Sequence, residues 1–189
     1  MPAVTPSLLV AIALLIGGPA LAQPAPAPGP ALSVALQDQS RVGSARLRYW
    51  GFDVYDAHLY APRGFDIQRF EDQRFGLELS YLRGFKGADI AQRSIDEMKG
   101  LAALDPAQAL RWQSAMSALF PDVQRGDRLT GVHVPGRGAR FYLNGQWLGE
   151  LADDAFSRLF FGIWLSPKTS QPRLRETLIQ SLGGPPRAP

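Results

Sequence analysis

The chain has 189 residues, which is enough for one domain with its own hydrophobic core. Twenty Lys and Arg residues against 17 Asp and Glu give a formal net charge of +3, and they are scattered among the acids, so no nucleic-acid-binding surface is predicted. The chain contains no cysteine, which excludes disulfides, thiolate chemistry and cysteine-ligated metals. This mild positive charge is compatible with weak attraction to an anionic membrane surface, and composition does not indicate an oligomeric state.

The first 22 residues are typical of a signal peptide. Ser7–Ile16 is an apolar run about half as long as a membrane span, and Ala20-Leu21-Ala22 supplies the small residues of a cleavage site. We therefore expect cleavage after Ala22 and a periplasmic or secreted protein. Residues 23–30 (QPAPAPGP) predict an extended linker, 31–182 the folded domain, and 183–189 a disordered tail.

The first half of the domain is predicted to be mostly strands. Period-two alternation indicates strands at Leu32–Leu36, Arg46–Trp50, Asp53–Ala61 and Phe75–Leu82. The period then changes, and Ala88–Gly100 predicts an amphipathic helix.

Three more helices and a strand meander follow. Asp105-Pro106 is a typical helix start, and Asn144-Gly145 is a strong hairpin signal between two apolar runs. The remaining predicted elements are strands at 128–134, 139–143 and 146–151, a buried helix after Asp153 or Asp154, and a last helix from Ser170 with Pro172. Because strands and helices do not alternate one by one, the order predicts an α+β fold with a large antiparallel sheet covered by helices.

Arg46–Pro62 (RLRYWGFDVYDAHLYAP) is the most informative segment for function. Tyr55 alternates with the apolar side chains of its strand, so its phenol is expected to face the core. Arg46 and Arg48 lie shortly upstream, where they could join Tyr55 in binding a carboxylate or a carbonyl. The alternative is an ordinary core tyrosine with arginines extending to water at the rim.

Several segments together resemble the bacterial chalcone isomerase-like family. They are VYDAHLY, FKGADIAQRSIDEM, FPDVQRGDRLTGVHVPG followed by FYLNGQ, and DDAFSRLFFGIWLSPKT, and the resemblance covers about 31–182. It implies an open-faced β-sandwich, in which a large antiparallel sheet and a layer of helices enclose a ligand cleft. One branch of this superfamily cyclises chalcones, and another binds fatty acids through an Arg and a Tyr on the carboxylate.

Matching the catalytic branch by motif leaves most of its polar residues unmatched. Tyr55 falls where the catalytic branch has a strand Thr, Lys86 falls near its helix-start Tyr, and Arg93 near its Asn. No residue around 149–153 matches the later Thr or Ser. The resemblance therefore implies no catalytic residues, no cofactor and no metal, and a Tyr at position 55 resembles the fatty-acid-binding branch.

We thus predict an exported protein that binds a fatty acid or a similar amphiphile, with Arg46, Arg48, Tyr55, Lys86 and Arg93 as candidate ligand-binding residues. A second interpretation is an isomerase or lyase for an unsaturated carbonyl compound, in which Tyr55 and an Arg stabilise an oxyanion. A third is an envelope interaction protein with a vestigial cleft. An open cleft with a polar end favours binding, an added acid or base favours an enzyme, and a filled cleft favours the third interpretation.

Overall fold

One six-stranded antiparallel sheet forms the centre of the molecule in the computed structural model, which describes residues 30–183. Each strand pairs with the next one along the chain. The strands are β1 Ser40–Tyr49, β2 Phe52–Ala61, β3 Phe75–Tyr81, β4 Arg128–Val134, β5 Gly138–Leu143 and β6 Gln146–Leu151. The predicted signal peptide lies outside the described residues, as do the predicted linker except residue 30 and the predicted tail except residue 183.

Helices cover one face of this sheet. The α-helices of the described part of the chain are α1 Pro30–Ala35, α2 Gly87–Leu101, α3 Pro106–Leu119, α4 Asp154–Leu165 and α5 Pro172–Ile179, and short 3-10 helices lie at Ile67–Asp72 and Gln180–Gly183. Asp105 and Asp153 cap α3 and α4 by accepting backbone N–H groups. Helices α2 to α5 pack together over the sheet face that we call the helix-covered face, and α1 lies on the opposite, outer face. The predicted α+β class, an open antiparallel sheet under helices, is confirmed.

The strand predicted at Leu32–Leu36 is wrong, because this segment forms α1. Leu32 and Ala35 are buried against Val132 and Tyr142 on the outer face of the sheet. Leu32, Ala35 and Leu36 are three and four residues apart and share the buried side of the helix, whereas Val34 of the alternating set is exposed. A run this short does not distinguish the two periods.

Helix α5 lies unusually close to β1. At Gly43 a Cβ atom would overlap the backbone carbonyl of Leu178. Glycine therefore lets the two backbones meet, which brings Leu174 of α5 over the edge of the sheet.

Aromatic rings fill the space between sheet and helices at one end of the sheet. Phe75, His133 and Phe161 are fully buried there, with the Phe75 and Phe161 centroids 4.9 Å apart. His133 is fixed by two hydrogen bonds: its Nε2–H donates to the Glu71 carbonyl (2.8 Å), and its Nδ1 accepts from the Ser157 hydroxyl (2.6 Å). The opposite end, where β1 meets β2 and β3 ends, is not filled in this way.

Candidate functional site

An open cavity of about 560 Å³ lies at this second end, between the helix-covered face and helices α2, α4 and α5. Most of its lining is apolar, including Leu47 of β1, Leu79 of β3, Ile90 of α2 and Ile163 of α4. Its size falls in the range of sites that hold a small organic ligand. The chain's own side chains therefore do not fill the cleft. The interpretation of a vestigial cleft requires a filled one.

Tyr55 of β2 supplies one polar group inside the cavity. Its hydroxyl oxygen accepts a hydrogen bond from the indole N–H of Trp164 in α4 at 2.9 Å. The tyrosine proton is not used in that bond, so it can be donated to a ligand. Burial raises the pKa of Tyr55 well above its usual value, which keeps the phenol neutral and a donor. The prediction that Tyr55 faces the interior is confirmed by this geometry.

Tyr81 at the end of β3 supplies a second hydroxyl. Its ring stands edge-on to the Tyr55 ring at 6.1 Å, as their positions opposite each other in the β2–β3 register require. Only 3% of Tyr81 is exposed, yet its hydroxyl has no hydrogen-bond partner among residues 30–183. Burial also raises the pKa of Tyr81, so this phenol too is a neutral donor. The Tyr81 oxygen is not one of the fully buried atoms that lack a partner, so it is accessible from the cavity, and a ligand there could accept its hydrogen bond.

Arg93 and Glu97 place opposite charges on the α2 side of the cavity. They form an ion pair of 2.5 Å one helical turn apart, with Glu97 much less exposed than Arg93. Both charges lie close enough to Tyr55 to act on its pKa, Glu97 raising it and Arg93 lowering it. Arg93, a predicted ligand-binding residue, therefore lines the cavity beside Tyr55. Its guanidinium is already paired with the Glu97 carboxylate.

Arg46 and Arg48 do not line the cavity, which corrects the expected arginine–Tyr55 pairing. Side chains of a strand alternate, so the inward Leu47 leaves both arginines on the outer face. There Arg46 binds both carboxylate oxygens of Asp56 at 2.7 and 2.8 Å and also contacts Asp53 at 3.0 Å. Arg48 binds Asp53 at 2.7 Å. These aspartates account for both arginines without a ligand.

Lys86 is exposed and lies just before α2, outside the cavity lining. The arginine found at the mouth instead is Arg83, which the sequence interpretation missed. Its guanidinium lies over the rings of Phe52 at 5.8 Å and Phe85 at 5.7 Å, and no described carboxylate forms an ion pair with it. The available signal was its position two residues after the inward Tyr81.

The lining provides hydrogen-bond donors and offers little for acid–base catalysis. Its carboxylates are Glu97, which is paired with Arg93, and Asp89, which is exposed. Within residues 30–183, no three His, Cys, Asp or Glu side chains are grouped so as to hold a metal ion. In that same range no helix is both long enough and apolar enough to cross a bilayer. Such a cavity suits a molecule with a long apolar part and an acceptor group.

Comparisons with known proteins agree with this architecture. The family model described as chalcone isomerase-like matches residues 34–180. An uncharacterized protein of Haemophilus influenzae is 29% identical over 138 residues, covering 73% of this chain and 66% of the relative, which is just under two thirds of its length. The crystal structure of a fatty-acid binding protein of Arabidopsis thaliana superposes with a TM-score of 0.57 at 13% identity, over 77% of this chain and 88% of that one.

Proposed function

This chain belongs to the chalcone isomerase-like family, and on that premise we propose that it binds a fatty acid or a similar amphiphile without transforming it. The observation that carries the proposal is the open apolar cavity with two phenols, the partly buried Tyr55 and the buried Tyr81, whose hydroxyl has no hydrogen-bond partner among residues 30–183. The Arabidopsis protein of similar fold is named a fatty-acid binding protein, which supports the same class of ligand.

The apolar lining would hold the hydrocarbon part of the ligand. Each buried CH₂ group contributes about 0.8 kcal/mol of transfer free energy, so a long chain gains more from this lining than a short one. The affinity should therefore rise with chain length until the cavity of about 560 Å³ is full. This dependence is characteristic of binding in an apolar cavity of limited volume.

The acceptor group of the ligand would lie between Tyr55 and Tyr81. Both phenols stay neutral because burial raises their pKa values, so both can donate hydrogen bonds to a carboxylate or a carbonyl. Arg93 is the cation whose charge acts on the pKa of Tyr55. An incoming carboxylate would share Arg93 with Glu97, its ion-pair partner. A charge-assisted bond of this kind is stronger than a bond between neutral groups.

Native mass spectrometry of the protein purified after export, followed by solvent extraction, tests the proposal first. We expect one bound amphiphile per chain and, after its removal, saturable binding of a fluorescent fatty acid. Tyr55→Phe and Tyr81→Phe should each weaken binding roughly tenfold, since each removes one hydrogen bond to the acceptor group. Arg93→Gln should weaken it at least as much when the probe is a carboxylate.

Arg48→Gln is the matched control, because Arg48 lies on the outer face of the same sheet and contacts Asp53. Its affinity should stay within about twofold of the wild type. The proposal fails when the wild-type protein carries no ligand and binds no added fatty acid. Equal affinity of Tyr55→Phe, Tyr81→Phe and the wild type would remove these phenols from the site.

The exported location is a separate proposal that depends on residues 1–22 alone. The apolar run Ser7–Ile16 and the small residues before Gln23 support cleavage after Ala22. Mass spectrometry of the protein from fractionated cells should find a chain that begins at Gln23 outside the cytoplasm. A chain that keeps Met1 in the cytoplasm would contradict it.

A further inference from the structure

Three large aromatic side chains are exposed together where β1 turns into β2. Tyr49 is 52% exposed, Trp50 85% and Phe52 64%, and the Tyr49 and Trp50 rings are 6.1 Å apart. We call these three residues the aromatic tip. Among residues 30–183, the other large apolar side chains with similar exposure lie singly, on α1, α3 and β6.

Neither backbone geometry nor burial explains Trp50. It has a positive φ of 51° in a two-residue turn completed by Gly51 at 81°, a conformation that favours Asn and Gly and that bulky residues rarely adopt. Its side chain gains little by burial, since it is almost entirely exposed. Trp50 is thus a residue type that disfavours the backbone conformation it adopts, and its side chain contributes little to packing. Such a residue is a candidate for a functional role.

The aromatic tip also forms the mouth of the cavity, since all three of its residues line it. A ligand that enters the cavity at this end therefore passes Trp50 and Phe52. Any surface that receives the aromatic tip would meet the open end of the cavity directly.

The charges around the aromatic tip indicate what that surface is. Asp53 is neutralised by Arg46 and Arg48. Arg83, whose guanidinium lies over Phe52, and Lys86, three residues further along the chain, form no ion pair with any described residue. Asp89 at the same rim offsets part of this positive charge, so apolar insertion should dominate over electrostatic attraction. Trp and Tyr with nearby cations are the residues that anchor proteins at the interface between lipid and water.

We propose that the aromatic tip docks on the surface of a lipid bilayer and holds the cavity mouth against it. An amphiphile then moves between the bilayer and the cavity without exposing its hydrocarbon chain to water. The transfer step rests on the function proposed above, whereas the docking itself does not require a ligand in the cavity.

Flotation with lipid vesicles tests the docking on the protein purified after export, with its N-terminus established by mass spectrometry. Vesicles of phosphatidylcholine and of phosphatidylcholine with about a quarter phosphatidylglycerol are the probes. We expect the wild type to float with both, more with the anionic vesicles. Trp50→Asn combined with Phe52→Ser should reduce the floating fraction at least about fivefold. Trp50→Asn alone fits the turn conformation and should reduce it in a protein whose fold is intact.

Two controls keep docking and ligand binding apart. Trp147→Thr removes another exposed tryptophan, on β6, and should float like the wild type. Tyr55→Phe should also float like the wild type, although we expect it to bind fatty acids weakly. A wild type that floats but binds no fatty acid would retain the docking and overturn the proposed function.

Three results would overturn the docking. The wild type could remain unbound to both vesicle types while it binds fatty acids in solution. The Trp50→Asn, Phe52→Ser protein could float as well as the wild type. The wild type could dimerise in solution in a way that Trp50→Asn abolishes, which would assign the aromatic tip to a second copy of the chain.

Discussion

Two hairpin turns in this protein have the same backbone conformation, but their side chains make different contacts. Trp50-Gly51 joins β1 to β2 with φ values of 51° and 81°, and Asn144-Gly145 joins β5 to β6 with φ values of 51° and 82°. Asparagine tolerates this left-handed conformation, whereas tryptophan is a rare occupant. The comparison separates what the conformation requires from what the side chain adds.

Asn144 also ties its turn to the rest of the sheet. Its Oδ1 accepts a hydrogen bond from the backbone N–H of Arg128, and its Nδ2 donates one to Asp127. No hydrogen bond involves the Trp50 side chain among the described residues, and the first hairpin is held instead by the ion pairs of Arg46 and Arg48 with Asp53 and Asp56. One turn residue therefore stabilises the fold, and the other leaves its ring free for a partner.

The largest effect is expected for Asn144→Ala. It removes two hydrogen bonds and a residue suited to positive φ, so the free energy of unfolding should fall by about 2–3 kcal/mol. Trp50→Ala is the matched variant, because it keeps the strained conformation and removes no hydrogen bond, and it should change that free energy by less than about 0.5 kcal/mol. Urea denaturation measures both variants, and equal losses would show that the two turns contribute alike.

A smaller effect of opposite sign is expected for Trp50→Asn. Asparagine relieves the strain of the left-handed conformation, so the free energy of unfolding should rise by about 0.5–1 kcal/mol. The same variant should lose vesicle binding, which makes it more stable and less functional. Urea denaturation and flotation of one preparation test both effects, and a loss of stability would mean that the Trp50–Tyr49 contact outweighs the strain.

The strands of this fold could be predicted because their signals are local. Alternation and the Asn144-Gly145 turn located β2 to β6 to within a few residues, since each signal depends only on chain neighbours. The same reasoning misassigned Leu32–Leu36, whose helix is selected by contacts with Val132 and Tyr142 far along the chain. Local periodicity contains no information about such partners.

The candidate site could be predicted only in part, because its polar groups depend on register and loop paths. Tyr55 was placed inward by alternation alone. The same alternation puts Arg46 and Arg48 on the side opposite to Leu47, so their expected pairing with Tyr55 was wrong. The register shift between Leu47 and Arg48 is the feature of this hairpin that the sequence does not reveal. Arg83 reaches the mouth through a loop held by the bridge between Phe85 and Val123, a long-range contact.

The smallest effect is expected for Asp53→Asn. This variant tests whether ion pairs stabilise the β1–β2 hairpin, whose turn lacks the side-chain hydrogen bonds that Asn144 makes in the β5–β6 hairpin. The hydrogen bond from Arg48 is the main cause that lowers the pKa of Asp53 below its usual value. A carboxyl group whose pKa is lowered in the folded state stabilises the fold at pH values above its usual pKa. This stabilisation is lost as the pH falls through the lowered pKa. Wild type should therefore exceed Asp53→Asn in unfolding free energy at about pH 7 and lose that advantage as the pH falls below the usual carboxyl pKa.

High salt should also reduce the advantage of the wild type over Asp53→Asn, because the carboxylate and both arginines are exposed to solvent. Asn144→Ala should show no such dependence on salt, since it removes hydrogen bonds of a neutral amide. Urea denaturation at low and high salt distinguishes the two. A salt-independent difference for Asp53→Asn would mean that Asp53 acts through its hydrogen-bond geometry, and the contrast between a charged hairpin and an amide-anchored one would then fail.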